Sequence, residues 1–221
     1  MFEYQVAAEL TYSFLNQGAD GHAYEPIAAN GENACVLHYV TKQDRLQNGD
    51  LILLDFGAEL NCYASDCSRT IPVNGKFTDR QKQLYQANLR VFKYARQLMK
   101  PGETINIIHD EVCKMWEEEH LGLGLYTREE AKKHAGDPCW KKYYMHGTSH
   151  FMGMDVHDVG TKQMVLQPGM ILTCEPGIYV REEKTGIRIE NDILITDKGF
   201  EDLMQGIAIE ASEIEKRMAQ G

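Results

Sequence analysis

Residues 51–57 read Leu51-Ile52-Leu53-Leu54-Asp55-Phe56-Gly57, and residues 62–69 read Cys62-Tyr63-Ala64-Ser65-Asp66-Cys67-Ser68-Arg69. Four consecutive aliphatic residues closed by an acid and a glycine describe a strand buried on both faces. The second run is also strand-like and holds Asp66 inside it. If Asp55 faces Asp66 across an antiparallel hairpin, the turn is centred on Leu60-Asn61, where Asn tolerates the left-handed backbone of tight turns. Directly opposed residues project from one face, so this hairpin is expected to present two carboxylates together. Ionised carboxylates in a dry site are costly unless a cation meets them.

The far end repeats the pattern. Met170-Ile171-Leu172-Thr173-Cys174 leads into Glu175-Pro176-Gly177, and Gly186 to Thr196 returns with Glu190 among Ile187, Ile189, Ile193 and Ile195. The connection around Arg181 to Lys184 is longer and charged. With His150 between the hairpins in sequence, Asp55, Asp66, Glu175 and Glu190 make up a plausible five-ligand set for two divalent cations, whose charge neutralises four carboxylates. Simpler roles compete with this one. An Asp that closes a strand commonly forms a turn or caps a helix, and Glu190 beside Arg188 also fits a structural ion pair across a sheet. His146 and His150 have i, i+4 spacing, but Gly147-Thr148-Ser149 is poor helix material and lacks the Glu of a zincin motif. An extended loop with one histidine on metal is expected there.

These residues resemble the pita-bread metallopeptidases, and among them the aminopeptidase P branch, which removes the residue preceding a proline. The matching stretches are Leu53-Leu54-Asp55-Phe56-Gly57, Tyr63-Ala64-Ser65-Asp66 through Arg69-Thr70, His146 to Gly153, Asp155-Val156-His157-Asp158, Glu175-Pro176-Gly177-Ile178-Tyr179 and Gly186-Ile187-Arg188-Ile189-Glu190. They span the chain from about Ala28 to Thr196, and all five ligand positions carry the expected residue type. The resemblance implies an α+β fold, a pseudo-twofold antiparallel sheet covered by helices. It implies that Asp55 chelates one metal, Asp66 and Glu190 bridge both, His150 completes one ion, and Glu175 binds the other while its free oxygen handles protons as general base. It also points to manganese, and an oxygen-rich site with one imidazole suits such a hard ion better than structural zinc. It further implies that His38 and His157 donate to the developing oxyanion as catalytic and substrate-binding groups, and that His146, Tyr179 and Arg188 surround the proline ring. Taken singly, each histidine could equally be a hydrogen-bonded structural residue, and Tyr179 after a Pro-Gly turn could simply pack. Prolidases, which cleave Xaa-Pro dipeptides, share nearly the same motifs, although Gly-Thr-Ser between His146 and His150 looks more like aminopeptidase P. A peptide-binding domain without turnover is a further alternative, but relatives of that kind typically lose ligands. The segment around the histidine argues against a general methionine aminopeptidase.

Composition agrees with an enzyme of this kind. The 221 residues are 43% hydrophobic and 25% charged, enough for one domain with a substantial core. A formal net charge of −10 and a pI near 5.3 argue against nucleic acid as partner, since phosphate binding needs a basic face. Six cysteines lie without a CxxC pair. Cys35, Cys62, Cys67 and Cys174 neighbour the acids in apolar strands and are expected to be buried free thiols of a reducing compartment. No run is long enough to span a bilayer, so no membrane association is expected and a cytoplasmic location follows.

Helices are expected from Thr78, with Gln81 as capping-box partner, to Pro101-Gly102; from about Thr104 to Glu119; and briefly after Thr127, where Glu130 completes a second box and Gly136-Asp137-Pro138 a break. Phe2 to Asn16, with Val6, Leu10 and Phe14 aligned, looks like the counterpart of Ile105 to Glu117, and nothing corresponds to Thr78 to Lys100. The chain is accordingly read as a single pita-bread catalytic domain, residues 1–221, lacking the opening helix and the family's N-terminal domain. Exposed apolar surface and association into a homo-oligomer are expected from that asymmetry.

Overall fold

In the computed structural model, which describes residues 1–134 and 136–220, the chain opens with α1 (Glu3–Asn16). Val6 of α1 packs against the cluster of Ala28, Ile52 and Leu54, and the Phe14 ring lies 6.3 Å from that of Phe56. Glu3 is fully buried at the first turn. It accepts the backbone N–H groups of Asn30 (2.7 Å) and Asp44 (3.0 Å), the Asn33 amide (3.0 Å) and the Tyr39 hydroxyl (2.8 Å). Four donors on one carboxylate meet the requirement that buried charge be hydrogen-bonded.

Two short strands follow, β1 (Gly21–His22) and β2 (Ile27–Asn30), and then the strand that the Leu51 run foretold, β3 (Leu51–Phe56). It sits between β2 and β6 (Cys67–Pro72), and both of its faces are apolar because Ile52 and Leu54 pack under α1 while Leu53 packs with Ile27, Ala29 and Tyr179 on the other side. The outer half of the hairpin is β4 (Ala58–Leu60) with β5 (Tyr63–Ala64). Gly57 joins β3 to β4, and any side chain there would collide with the Ser65 carbonyl at 1.7 Å. The register corrects the sequence-based expectation: Asp55 pairs with Ser68, not Asp66, and Leu60 pairs with Tyr63. The turn is therefore Asn61-Cys62, with φ of 52° and 65° at the two positions, as a tight type I′-like connection requires. A slip of two residues preserves the face, so Asp55 and Asp66 still converge, on a diagonal. Cys62 is exposed at this turn, unlike the buried Cys35, Cys67 and Cys174, and all six cysteines are free.

Helix α2 (Asp79–Leu98) packs on the C-terminal strands and on α3 (Ile105–Gly122). The Thr78–Gln81 box caps α2 as expected, and α3 runs three residues past Glu119. The short α4 (Arg128–Lys133) has the Thr127–Glu130 box. The main core joins Tyr85, Phe92, Ile108 and Trp116 of the helices to Leu172, Ile178, Ile187 and Ile193 of the strands, all fully buried. Each such side chain contributes about 1.5–3 kcal/mol by leaving water. On the N-terminal half α1 lies over β1 and β2, and Tyr4, Tyr12 and Leu15 on it are exposed.

The second hairpin is built from β7 (Ile171–Cys174), β8 (Gly177–Val180), β9 (Thr185–Arg188) and β10 (Asn191–Thr196), with β11 (Gly199–Asp202) beyond β10. β7 pairs with β10 and β8 with β9 in one continuous register. Both ladders break at the same level, at Glu175-Pro176 and Ile189-Glu190, and that register sets Glu175 opposite Glu190. A closing helix, α5 (Ala211–Met218), inserts Ala211 and Ile214 into the core. The two hairpins touch through a Ser68·Glu190 bridge. Buried Arg69 fastens the contact by donating to the Glu190 carbonyl at 2.7 Å and to Asn191 Oδ1 at 2.6 Å.

Candidate active site

All four acids lie at breaks or ends of strands, where the hairpins meet, and line one cavity of about 600 Å³. Asp66, His150 and Glu190 form its tightest group: one ligand atom from each lies within 4.8 Å of the others. His150 Nε2 is 3.4 Å from Asp66 Oδ2 and 3.9 Å from Glu175 Oε1. Its loop is extended, as Gly147-Thr148-Ser149 implied, and runs along β7: Glu175 N–H donates to the Thr148 carbonyl and Thr173 N–H to the His150 carbonyl, each at 3.0 Å. Asp55 stands on the other side, with Arg188 Nη2 at 2.5 Å from its Oδ2. Arg188 also gives Nη1 to the Tyr179 hydroxyl and Nε to Ser68 Oγ, both at 2.8 Å. Ser68 in turn donates to Glu190 Oε2 at 2.6 Å, while Arg188 Nε stays 3.8 Å from that carboxylate. The Arg188–Glu190 ion pair is thus the weaker contact, and Arg188 is committed chiefly to Asp55.

Glu3 shows what a satisfied buried carboxylate looks like, and these acids differ from it. Burial first, then Asp66 and Asp55 at close range, push Glu175 up to about 7 against the pull of His150 and Arg188. Glu190 is pushed well above the ordinary range by burial and by Asp66 and Glu175. Asp55 is raised by burial despite Arg188. The Tyr24 hydroxyl reaches Asp55 Oδ1 and, at 2.5 Å, Asp66 Oδ1. It has one proton to give and can donate to only one of them. The donor set therefore lacks positive charge, and hard divalent cations fit a group of four carboxylates and one imidazole.

The remaining residues singled out in the sequence divide into two sets. His38 and His157 are exposed and line the cavity, with the His157 ring 4.1 Å from that of His150. His146 is half-buried, with Nδ1 3.5 Å from Glu175 Oε2 and Nε2 2.9 Å from the Tyr179 hydroxyl. Burial and Arg188 lower it to about 3, so it is neutral. Tyr179 is fully buried and does not line the cavity. Its hydroxyl stands behind His146 and Arg188 and is bonded to both.

Sequence reading missed Tyr24, Ser68, Thr173 and Asp192. Thr173 accepts the His150 N–H at 3.1 Å, and Asp192 accepts the Asp66 N–H at 3.2 Å. Ser68 lies two residues after Asp66 and Thr173 two residues before Glu175, at the strand ends these acids flank, a spacing that puts them on the same face. Tyr24 sits 31 and 42 positions from its partners, and no local pattern signals it.

The chain is 37% identical over 230 residues to the Xaa-Pro aminopeptidase of Escherichia coli (99% of this chain, 52% of that protein) and 38% identical over 202 residues to Xaa-Pro aminopeptidase 3 of Rattus norvegicus (86% and 39%). Proline aminopeptidase P II from Yersinia pestis superposes with a TM-score of 0.93 at 38% identity, covering 100% of this chain and 53% of that one. Zinc-substituted E. coli aminopeptidase P in complex with product does so with a TM-score of 0.93 at 37% identity (100% and 52%). The chain thus spans between about two fifths and half the length of these relatives, and its fold is the pita-bread fold expected from the motifs. The model of metallopeptidase family M24 matches residues 1–197, which takes in every acid and histidine of the cavity, and the chain belongs to that family.

Proposed function

We propose that the chain is the catalytic domain of an Xaa-Pro aminopeptidase, with two divalent cations, Mn²⁺ by preference, held by Asp55, Asp66, His150, Glu175 and Glu190. The observation that carries this reading is the approach of Asp66, His150 and Glu190 ligand atoms to within 4.8 Å on the floor of the cavity, with the other two acids beside them. Bound cations supply Lewis acidity, making hydroxide available near neutral pH and polarising the scissile carbonyl. Glu175 takes the proton of the attacking water and returns it to the leaving proline nitrogen, from a position on the cavity wall beside His146 and His150. His38 and His157, on the open side, donate to the oxyanion. Neutral His146 borders the proline ring, kept in orientation by Tyr179. Arg188 holds Asp55 and closes the floor. The substrate is a peptide with proline in second place, and six free thiols agree with a cytoplasmic setting. No helix among the described residues is long and apolar enough to cross a membrane.

The test compares an Xaa-Pro-Yaa tripeptide with an Xaa-Pro dipeptide and an Xaa-Ala-Yaa control, using metal-stripped protein with and without Mn²⁺. Metal-dependent release of the first residue from the tripeptide alone is expected. Cleavage restricted to the dipeptide would make the chain prolidase-like; Mn²⁺ binding without turnover would mean that residues outside these 221 are required or that the domain only binds.

A further inference from the structure

Behind the histidine loop, away from the cavity, lies a chain of polar groups that the proposed chemistry does not use. The Thr148 side chain is fully buried between two rings: its Oγ1 lies 2.9 Å from His109 Nδ1 on α3 and 2.7 Å from the Tyr144 hydroxyl. His109 Nε2 is 3.4 Å from the Cys113 sulfur one helical turn on. The His109 ring packs at 6.3 Å against Trp140 and 5.8 Å against Tyr144, and the Tyr144 ring stands edge-on to His146 at 4.9 Å.

Proton counting gives the chain a direction. If Tyr144 donates to Thr148, Thr148 to His109 Nδ1, and His109 Nε2–H to Cys113, every buried hydroxyl proton has an acceptor. In the opposite sense Thr148 donates to Tyr144, and the fully buried Tyr144 proton is left with none. The His109–Cys113 spacing resembles a nucleophile and its base, but burial pushes the thiol up to about 12, and burial together with Lys162 lowers the imidazole. Both stay neutral, and the pair ends the relay instead of acting on a substrate.

Thr148 is also the residue whose carbonyl receives the Glu175 N–H, and it lies midway between His146 and His150. We propose that Thr148, locked by His109 and Tyr144, is a positioning residue that ties the 146–150 loop to α3 and thereby fixes both His150 and the backbone entry of Glu175 for metal. The inference rests on the metal centre proposed above but not on the proline specificity. Groups that orient metal ligands commonly change affinity about 10–100-fold when lost.

The experiment is calorimetric titration of the metal-stripped chain with Mn²⁺ alone, for the parent and for T148V, T148S, H109L, Y144F and T148V/H109L, with thermal unfolding of each metal-free form. T148V and H109L are expected to weaken Mn²⁺ binding at least tenfold and T148S less than about threefold. The double variant is expected to be no weaker than T148V, because one relay is broken once. Y144F removes one hydroxyl without changing the packing and is expected to weaken binding detectably, which keeps the test decisive should T148V not fold. Parent-like affinity in T148V or in Y144F, equal losses in T148S and T148V, or additive losses in the double variant would each overturn the proposal. If the parent binds no Mn²⁺, the metal centre itself is wrong and the relay falls with it; a failure confined to the variants leaves the centre standing. Peptide hydrolysis enters neither outcome.

Discussion

The two hairpins supply two acids each, yet they bring them to the cavity by different geometry. In the N-terminal hairpin a tight Asn61-Cys62 turn sets Asp55 opposite Ser68, so Asp55 and Asp66 meet on a diagonal and the Tyr24 hydroxyl spans them. In the C-terminal hairpin a longer connection, Arg181–Glu183 with Lys184 in the left-handed region, leaves Glu175 level with Glu190. Compensation crosses between them: Arg188 of the second hairpin reaches Asp55 of the first, and Ser68 of the first reaches Glu190 of the second. Glu175 receives no such arginine; His146 and His150 lie 3.5 and 3.9 Å from its carboxylate oxygens, and the Thr173 hydroxyl lies 3.5 Å away. The hairpins are therefore not interchangeable halves. Asp55 of the first is braced by an arginine, and Glu175 of the second is not.

The largest test of this asymmetry removes that carboxyl. Glu175→Gln is expected to lower kcat by about 10²–10⁴-fold on an Xaa-Pro-Yaa tripeptide, the range for a general base. A loss smaller than that of Asp55→Asn would reverse the assignment of roles. Next comes the brace. Arg188→Met leaves Asp55 buried without its partner, for which about 3–5 kcal/mol of stability in the metal-free protein is expected to be lost, read by denaturant unfolding. Saturating Mn²⁺ is expected to recover part of it, since cations supply the missing charge. Ser68→Ala removes the hydroxyl that links Glu190 to Arg188 Nε and leaves the buried donor unpaired, for which about 1–3 kcal/mol is expected by the same measurement.

The smallest expected effect is in pH dependence. An acid whose folded pKa is raised binds its proton more tightly in the folded state, so its stabilisation is complete below the unfolded value and fades as pH climbs through the folded one. For Glu175 that window runs from its ordinary 4.5 to about 7, and Glu190 and Asp55 shift in the same direction. The unfolding temperature of metal-free protein is therefore expected to fall as pH rises across the window, and Mn²⁺ is expected to abolish or invert the slope. A metal-free protein that grows more stable over that range would contradict the picture of crowded, uncompensated acids.

Much of this arrangement was legible in the sequence. Strands announced themselves where aliphatic runs ended in acids, and α2 and α4 where Thr78–Gln81 and Thr127–Glu130 wrote their own caps. The hairpin register was not legible, because pairing Asp55 with Asp66 and pairing it with Ser68 put the same residues on the same face; only the left-handed backbone at Cys62, a residue with no preference for it, separates the two. α5 went unnoticed because Glu210 offers it no side-chain cap and its one buried stripe is Ala211 and Ile214. Tyr24 and His109 act across the fold, through partners 31 to 42 residues away, and such contacts leave no local periodicity. The sequence groups Tyr179 with His146 and Arg188, and its hydroxyl bonds to both; its full burial was not legible, since a tyrosine after Pro-Gly can face a cavity or back its wall with equal ease.

The most direct measurement is the number of Mn²⁺ ions bound per chain by metal-stripped protein, by calorimetry with elemental analysis of the dialysed complex. Two hairpins closing on a shared centre predict two ions per chain in the parent and fewer in Asp66→Asn and Glu190→Gln, the acids expected to bridge. One ion in the parent, or two that survive loss of either bridging acid, would contradict a centre shared between the hairpins.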